Sequence, residues 1–548
     1  MKRYFEMAVL AVTLSVPVYA QDIGQRASRS LTIEGTYNPT VTEAGKIMPV
    51  PEKIQNTERK VSVSYLRDPS PYPGLVRRPM SVLATGSDDV TYPAFSGFTS
   101  FSYGLRNIHD GLADVQWRIS DKDILRLYGN LDAWNSKPDG NWQSHMFDCD
   151  ANAAYTHQFK GFSAGFDASA GLRRYNYRRG ELMDSAAYAG SKLMQMTTTG
   201  EIGAFVKSDE GGFTSWHLGI RGQWLNRDGL KVNGVTRSNK ERLVRVSGGF
   251  TTPLEEGVLG LEYRQKSAAY TWTALNGGEY RNYSEFTISP FWSFEKDELQ
   301  VSVGLNLDLR TSQDGMFPVS PNMGLVYSFA DNWKLVAGMR GGVEDYDMRH
   351  LAAISPYWSE EKPIHDGYTV FDGSVGVVYE PEGWASVSLD GGFRFTQDEV
   401  FQVAADSMIV TSVMKQQEAR VLYLKLDADM HFSDKALLRF DAVLADYLGA
   451  YMGYKMQLKP AFDLKAYGRF NITKGVDAVL SYRLMLFNKV AHKSMPAVND
   501  LSLSASYEFR KNLSFNLSLQ RIVGSDYYYY AGYRSLKPAF LLGATYRF

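Results

Sequence analysis

Cysteine is nearly absent. Cys149 stands alone in 548 residues, so no disulfide can form within the chain. A dominant sign of charge is absent too. Lys and Arg together number 59 against 60 Asp and Glu, a formal net charge of -1, which offers no basic face to nucleic acid. No apolar run reaches the roughly 18 residues of a membrane-crossing helix. The eight histidines form no H-x-x-x-H or H-E-x-x-H pair, and neither a G-x-S-x-G elbow nor a phosphate loop occurs. The chain is therefore expected to be no enzyme and to need no cofactor or metal. Proline is scarce over most of the length. Eight of the 20 prolines (Pro39, Pro49, Pro51, Pro69, Pro71, Pro73, Pro79 and Pro93) crowd into residues 21–95.

Aromatic residues are abundant at 13%, with 34 Tyr, 29 Phe and 10 Trp, beside 48 Gly. The mean hydropathy of -0.28 looks soluble. A transmembrane β-barrel looks the same on average, because half of each strand faces a polar lumen.

The N-terminus reads as a secretory signal over residues 1–20. It has the basic "MKR", the apolar "MAVLAVTLSVPV" and a small-x-Ala cleavage site at Val18-Tyr19-Ala20. Residues 21–95, with "PVPEK" and "DPSPYPG", predict an extended, polyproline-like periplasmic segment, docked on or inside the remainder of the chain.

From about Gly97 strict alternation begins. In "LSLSASYEF", Leu501, Leu503, Ala505, Tyr507 and Phe509 fall on one face, and Ser502, Ser504, Ser506 and Glu508 on the other. "RKN" comes next, and "LSFNLSLQ" repeats the pattern, which makes an antiparallel hairpin. "ILRLYGNLDAW" sets Leu125, Leu127 and Leu131 against Arg126, Tyr128, Asn130 and Asp132. "VLYLKLDADMHF" sets Leu422, Leu424 and Leu426 against Tyr423, Lys425, Asp427 and Asp429. Tight turns such as "EKDE", "TKG" and "RKN" alternate with long connections such as "RHLAAISPYWSEEKPIHDG". That asymmetry predicts an all-β fold: a transmembrane antiparallel β-barrel of about 22 strands over residues 96–548, with periplasmic turns and external loops. A soluble propeller is disfavoured, since no repeat of fixed length appears. Trp134, Trp272, Trp292, Trp333 and Trp384 sit near strand ends, as girdle residues at the headgroup level would.

The closing "GATYRF" resembles the C-terminal assembly signal of Gram-negative outer-membrane proteins, carried here by Gly543, Tyr546 and Phe548. That likeness implies insertion by the barrel-assembly machinery and a place in outer-membrane lipid. On the same strand Phe540, Leu542, Ala544, Tyr546 and Phe548 should face lipid, and Thr545 and Arg547 the lumen. Leu541 is inward yet apolar. The strand number and the segment "LTIEGTYNPTVTEAGKIMPVPEK" resemble the TonB-dependent-receptor-like barrels of the Bacteroidota. The resemblance implies nutrient transport across the outer membrane and a plug inside the barrel. Residues 21–95 are shorter than such a plug, are Pro-rich, and carry no convincing TonB box. Three alternatives stay open. The Pro-rich segment fills part of the lumen, a lipoprotein or other partner supplies the closure, or the barrel is a passive porin-like pore. A structural or assembly subunit of an outer-membrane complex is the other class of function.

Arg126, Asp132, Lys425, Asp427, Asp429 and Glu508 are the candidate lumen-lining charges. Asp427 and Asp429 could hold a cation, but neutralisation by Lys or Arg is the preferred reading. "YYYY" at 527–530 reads as rim aromatics before it reads as a sugar platform. His365-Asp366 reads as a polar loop before it reads as part of a catalytic pair. "DSA" at 184–186 and "DSM" at 406–408 match a short O-glycosylation acceptor.

Overall fold

The computed structural model describes residues 95–548 apart from stretches in the connections, the longest being 179–192, 404–411, 449–458 and 488–495. Residues 1–94 lie outside the described residues. So do the signal, almost all of the Pro-rich segment and both O-glycosylation motifs.

The described chain is a closed, antiparallel 22-strand β-barrel, matching the strand number expected from the alternation. Each barrel strand pairs with the strand before and the strand after it. The last, Ala539–Arg547, pairs back onto the first, Phe95–Gly104, in a register running from Phe98↔Arg547 to Gly104↔Leu541. Period-two patterning directs this, because a slip of one residue would turn every apolar side chain into the lumen. Tight turns close one end. Asp297, between Lys296 and Leu299, takes a left-handed φ of 52°, which Asp tolerates in a two-residue hairpin.

Strands run from 8 residues (Leu513–Gln520) to 20 (Val235–Leu254 and Ser412–His431). A bilayer needs only about 9–11. The wall therefore rises past the membrane at the long-loop end. The outer face is apolar, with Leu127, Ile202, Leu218, Val375, Leu422, Leu480 and Leu542 all exposed. At the short-turn end Trp117, Trp216, Trp292, Trp333, Trp384 and Phe548 form an exposed aromatic girdle. Two of the expected girdle residues lie elsewhere. Trp272 is only 3% exposed, at the long-loop end, and Trp134 donates from Nε1 to Ser144 on the inward side of the adjacent strand. Position at a strand end does not reveal which face a side chain takes when strands overshoot the bilayer.

On the closing strand the expected parity holds. Leu542, Tyr546 and Phe548 are exposed, and Leu541 and Thr545 are buried. A polar ladder crosses the seam inside, from Asn516 to Thr545 to Ser100, with Arg547 donating to Ser514. Gly543 has a local steric reason: a Cβ there would stand 2.2 Å from Ser102 Oγ and 2.6 Å from the Phe101 carbonyl oxygen. Leu541 is accounted for as well. It packs in a small inward apolar cluster with Ile108, Ala539 and Trp134, opposite Gly104, whose missing side chain makes the room.

Leu542→Arg, a charge placed on the lipid face of the closing strand, is expected to cost about 2–4 kcal/mol. Urea unfolding in lipid vesicles measures it. A loss equal to that of Thr545→Arg, on the inward face, would contradict the assignment of faces.

Candidate functional site

The thirteenth strand, Trp333–Glu344, and the fourteenth, Gly367–Tyr379, are joined by residues 345–366 at the long-loop end. This connection does not stay outside. Both of its stems are bulged. The register shifts between Arg340 and Gly342 and again between Thr369 and Phe371, with Gly342 at φ +133°. Bulges bend and re-aim strands, and here they accompany a chain turned inward. Beyond the first stem come helix α1 (Met348–Ile354) and a three-residue strand, Trp358–Glu360. The short strand pairs in parallel with Ser412–Met414 on the inner wall.

The helix begins where its caps are met. Asp347 accepts from the His350 N–H at 2.8 Å, and Glu241 on the eighth strand accepts from the Met348 N–H at 2.9 Å. These bonds satisfy helix donors that otherwise lack partners. The inner wall thus supplies a cap to a helix that belongs to a loop.

The first anchor is ionic. Asp347 pairs with Arg245 at 2.6 Å, and Asp345 with Lys266 at 2.7 Å. Asp366 is fully buried against Lys266, accepts from Tyr283 at 2.6 Å and accepts from the backbone N–H of Tyr346 at 2.6 Å. Arg310 donates to the Asp366 carbonyl. Burial alone would push the Asp366 carboxyl up. The Lys266 ammonium and the hydrogen bonds from Glu285, Lys266 and Tyr283 overrule it and hold the carboxyl at about 2. Glu285, Asp345 and Asp366 bring carboxylate oxygens within 4.8 Å of one another, a spacing that could suit a metal ion. Lys266 Nζ already sits on two of the three, so the positive charge there belongs to the protein.

The second anchor is aromatic and lies across the lumen. Tyr357 stacks on Tyr533 at 3.7 Å and meets Trp142, Tyr175 and Tyr530 edge-on. Burial pushes the Tyr357 phenol up, so it stays neutral. Trp358 stacks on Trp272 at 5.5 Å, and Arg227 lies 4.5 Å over its ring. Arg227 also donates to the Trp358 carbonyl and to the hydroxyls of Tyr175 and Tyr177. Arg349 reaches Glu201 at 3.0 Å, and Arg173 donates to the Ala352 carbonyl at 3.1 Å. From its stems at strands thirteen and fourteen, the connection therefore reaches strands four to eleven, strands fifteen and sixteen, and the last long loop.

The six charges picked out from the sequence lie elsewhere on the wall. Arg126 pairs with Asp114 at 2.5 Å, and Asp132 accepts from Asn130 at 3.2 Å. Asp427 is neutralised by Lys425 at 2.6 Å, two residues away on its own strand, and Asp429 by Arg439 at 2.9 Å from the next strand. Glu508 stands exposed near the short-turn end. The two anchors of the inward loop use none of the six. Tyr527, Tyr530 and Tyr533 are not rim residues: they are 1%, 7% and 3% exposed, within the aromatic anchor. His365 meets Asp398 at 3.1 Å, beside the ion-paired Asp366. The inward loop itself escaped sequence reasoning. Its signal is large or charged residues at inward positions near the long-loop ends of strands: Tyr175, Arg227, Glu241, Lys266 and Tyr283.

No protein-family model matches the chain, and no curated protein matches it in sequence. Solved structures do resemble it. The siderophore receptor PirA from Acinetobacter baumannii is 12% identical with a TM-score of 0.63, covering 83% of this chain and 81% of that one. The FrpB iron transporter from Neisseria meningitidis is 10% identical with a TM-score of 0.62, covering 83% of each chain. The ferric-catecholate import receptor Fiu from E. coli K12 is 11% identical with a TM-score of 0.60, covering 83% of this chain and 82% of that one. At such identities the likeness is one of fold.

Asp366→Asn should cost about 3–5 kcal/mol at neutral pH, because it leaves Lys266 buried without its strongest partner. The folded pKa is below the ordinary carboxylate value of about 3.9. The stability at stake is therefore complete above about pH 4 and is lost as pH falls towards about 2. Urea unfolding from pH 7 to 2 reads this. A difference between wild type and variant that disappears above pH 5 would contradict the buried pairing.

Proposed function

We propose that this protein is an outer-membrane, TonB-receptor-like barrel that carries a nutrient or small solute across the outer membrane, with residues 345–366 as its resident gate. The observation that carries the reading is the combination of a receptor-sized barrel and a loop anchored at both sides of its lumen. A 22-strand barrel is too wide for wall side chains to fill, and transporters of this size hold a plug. The solved structures of similar fold are named as receptors or transporters for iron and siderophores.

In this reading the tight turns face the periplasm and the long loops face outward. The paired charges Arg126–Asp114, Lys425–Asp427 and Arg439–Asp429 line a polar path below the gate. Gly543, Tyr546 and Phe548 act as the assembly signal, and residues 21–95 form a periplasmic segment. The gate is held by ion pairs, by aromatic contacts and by a buried apolar cluster in which Met348, Leu351, Trp358 and Ile364 of the loop meet Leu225, Val400 and Met414 of the wall. Its polar contacts can be exchanged for contacts with a solute or with water, and opening would have to offset the apolar burial.

Replacing residues 348–364 with a Gly-Ser linker is expected to raise planar-bilayer conductance several-fold over the intact chain. Liposome swelling with small neutral solutes should rise in parallel. Both measurements are made with and without residues 21–95, so that closure by that segment is separated from closure by the loop. Unchanged conductance and unchanged swelling in all four proteins would exclude a transport pore.

A further inference from the structure

Charges taken out of water need partners, and around the stem of the inward loop there are too few cations. Five carboxyl groups meet there, Glu241, Glu285, Asp345, Asp347 and Asp366, against Arg245, Lys266 and Arg310. The next cations out are already matched, Arg349 and Arg221 by Glu201 and Asp167. A buried carboxyl without a counter-charge takes up a proton instead of staying ionised. One proton has an evident place, in the hydrogen bond that Glu285 gives to Asp366. Asp345 is half exposed and leaves part of its charge to water. Glu241 has neither outlet.

Glu241 is 1% exposed and is the one carboxyl of the five with no ion pair among the described residues. It lies on the strand Val235–Leu254, thirteen residues from Leu254, past the roughly 9–11 that span the bilayer. Its polar contacts are the Met348 N–H at 2.9 Å and the Tyr270 phenol. The charged groups that face it are all engaged. On the loop, Asp347 is held by Arg245 and Arg349 by Glu201. On the wall, Arg245 is held by Asp345 and Asp347, and Lys266 by Asp345 and Asp366. Burial keeps the neighbouring phenols of Tyr270 and Tyr280 neutral. Burial first, and the Asp347 carboxylate second, push the Glu241 carboxyl up to about 8.

We propose that Glu241 holds a proton while the loop is docked on it and gives that proton to water when the loop withdraws, so that the gate is linked to pH. The inference rests on the gate reading above. With Met348 gone, Glu241 meets solvent, where a Glu carboxyl titrates at about 4.3. The docked state therefore binds the extra proton. The advantage this gives the docked loop is complete below about pH 4.3 and is lost as pH rises towards about 8. Asp366 works in a separate window, because its value is held down at about 2. Two histidines of the loop titrate near neutrality and serve as controls. His350 lies beside the Tyr346 ring, and His365 meets Asp398 at 3.1 Å.

Hydrogen exchange over residues 348–354 is followed by mass spectrometry on the full chain in detergent at pH 5.5, 6.5 and 7.5. Each rate is divided by the intrinsic exchange rate at that pH, which leaves the protection due to docking. One proton is worth up to tenfold per pH unit. Wild-type protection should fall at least tenfold from pH 5.5 to 7.5. Glu241→Gln, neutral throughout, should change less than threefold and should be better protected than wild type at pH 7.5. A misfolded variant would lose protection, so that gain cannot come from misfolding. His350→Gln and His365→Gln should keep the wild-type fall. The inference is overturned if wild-type protection does not change with pH, if Glu241→Gln keeps the fall, or if either histidine variant removes it. It is overturned as well if EDTA removes the fall, since a metal ion would then stand where the proton is assigned. Exchange needs no pore. A pH-linked loop in a barrel that never conducts, even with the loop replaced, would sink the transport reading alone. Conductance with protection that ignores pH would sink the proton link alone.

Discussion

Everything in this molecule follows from the requirement that no backbone N–H or C=O be left unpaired in hydrocarbon. An open sheet would fail it along two edges, so the last strand must meet the first. The seam between Phe95–Gly104 and Ala539–Arg547 is where that condition is met. Its side chains are chosen for it. Gly543 clears Ser102, Gly104 clears Leu541, and the hydroxyls of Thr545 and Ser100 bond across the join. The glycine of the terminal motif therefore has a role in the finished barrel, whatever role it also has during insertion.

Closure at 22 strands creates the second problem, a lumen that wall side chains cannot span. The answer visible in the described residues is a connection folded inward, and its chemistry is set by where it must sit. A plug inside a polar lumen cannot rely on apolar burial alone, because it also meets charged wall positions. Its stem half therefore carries Asp345, Asp347 and Asp366 against Arg245, Lys266 and Arg310. Its far half carries Tyr357 and Trp358 against tyrosine, tryptophan and a stacked arginine. Buried ion pairs contribute little net stability once desolvation is counted, but they are costly to break one partner at a time. Aromatic stacking is softer, at about 0.5–1.5 kcal/mol per pair. The stem is thus costly to loosen one contact at a time, and the far half adds stacking to the buried apolar cluster around Leu351 and Ile364.

The barrel was legible in the sequence because a strand pattern is local. Leu501 to Phe509 and Leu422 to Asp429 declare their two faces without reference to any other strand, and the short turns declare which strands are neighbours. The strand number and the parity of the closing strand come from the same rule. The plug was not legible, because nothing in "EDYDMRHLAAISPYWSEEKPIHD" says on which side of the wall it lies. Its partners are scattered from Trp142 to Tyr533, and each looks like an ordinary strand residue until the barrel is closed. Trp272 and Tyr527 mislead for the same reason. Aromatics at the lipid interface and aromatics around a lumenal plug occupy the same positions along a strand and differ only in the face they take.

Leu541 shows how the two problems meet. An apolar residue on the inward face has no place in a barrel lined only by water. It has one where the inner wall is itself packed. Leu541 lies against Ile108 and Trp134, and Trp134 also packs against the cluster that holds Tyr357. The apolar packing of the seam is thereby continuous with the aromatic anchor of the plug. The strand that closes the barrel and the loop that crosses it share one tryptophan. A chain in which closure and occlusion rest on the same packed cluster has reason to make its inward face apolar there, on the side of the wall where the barrel is sealed.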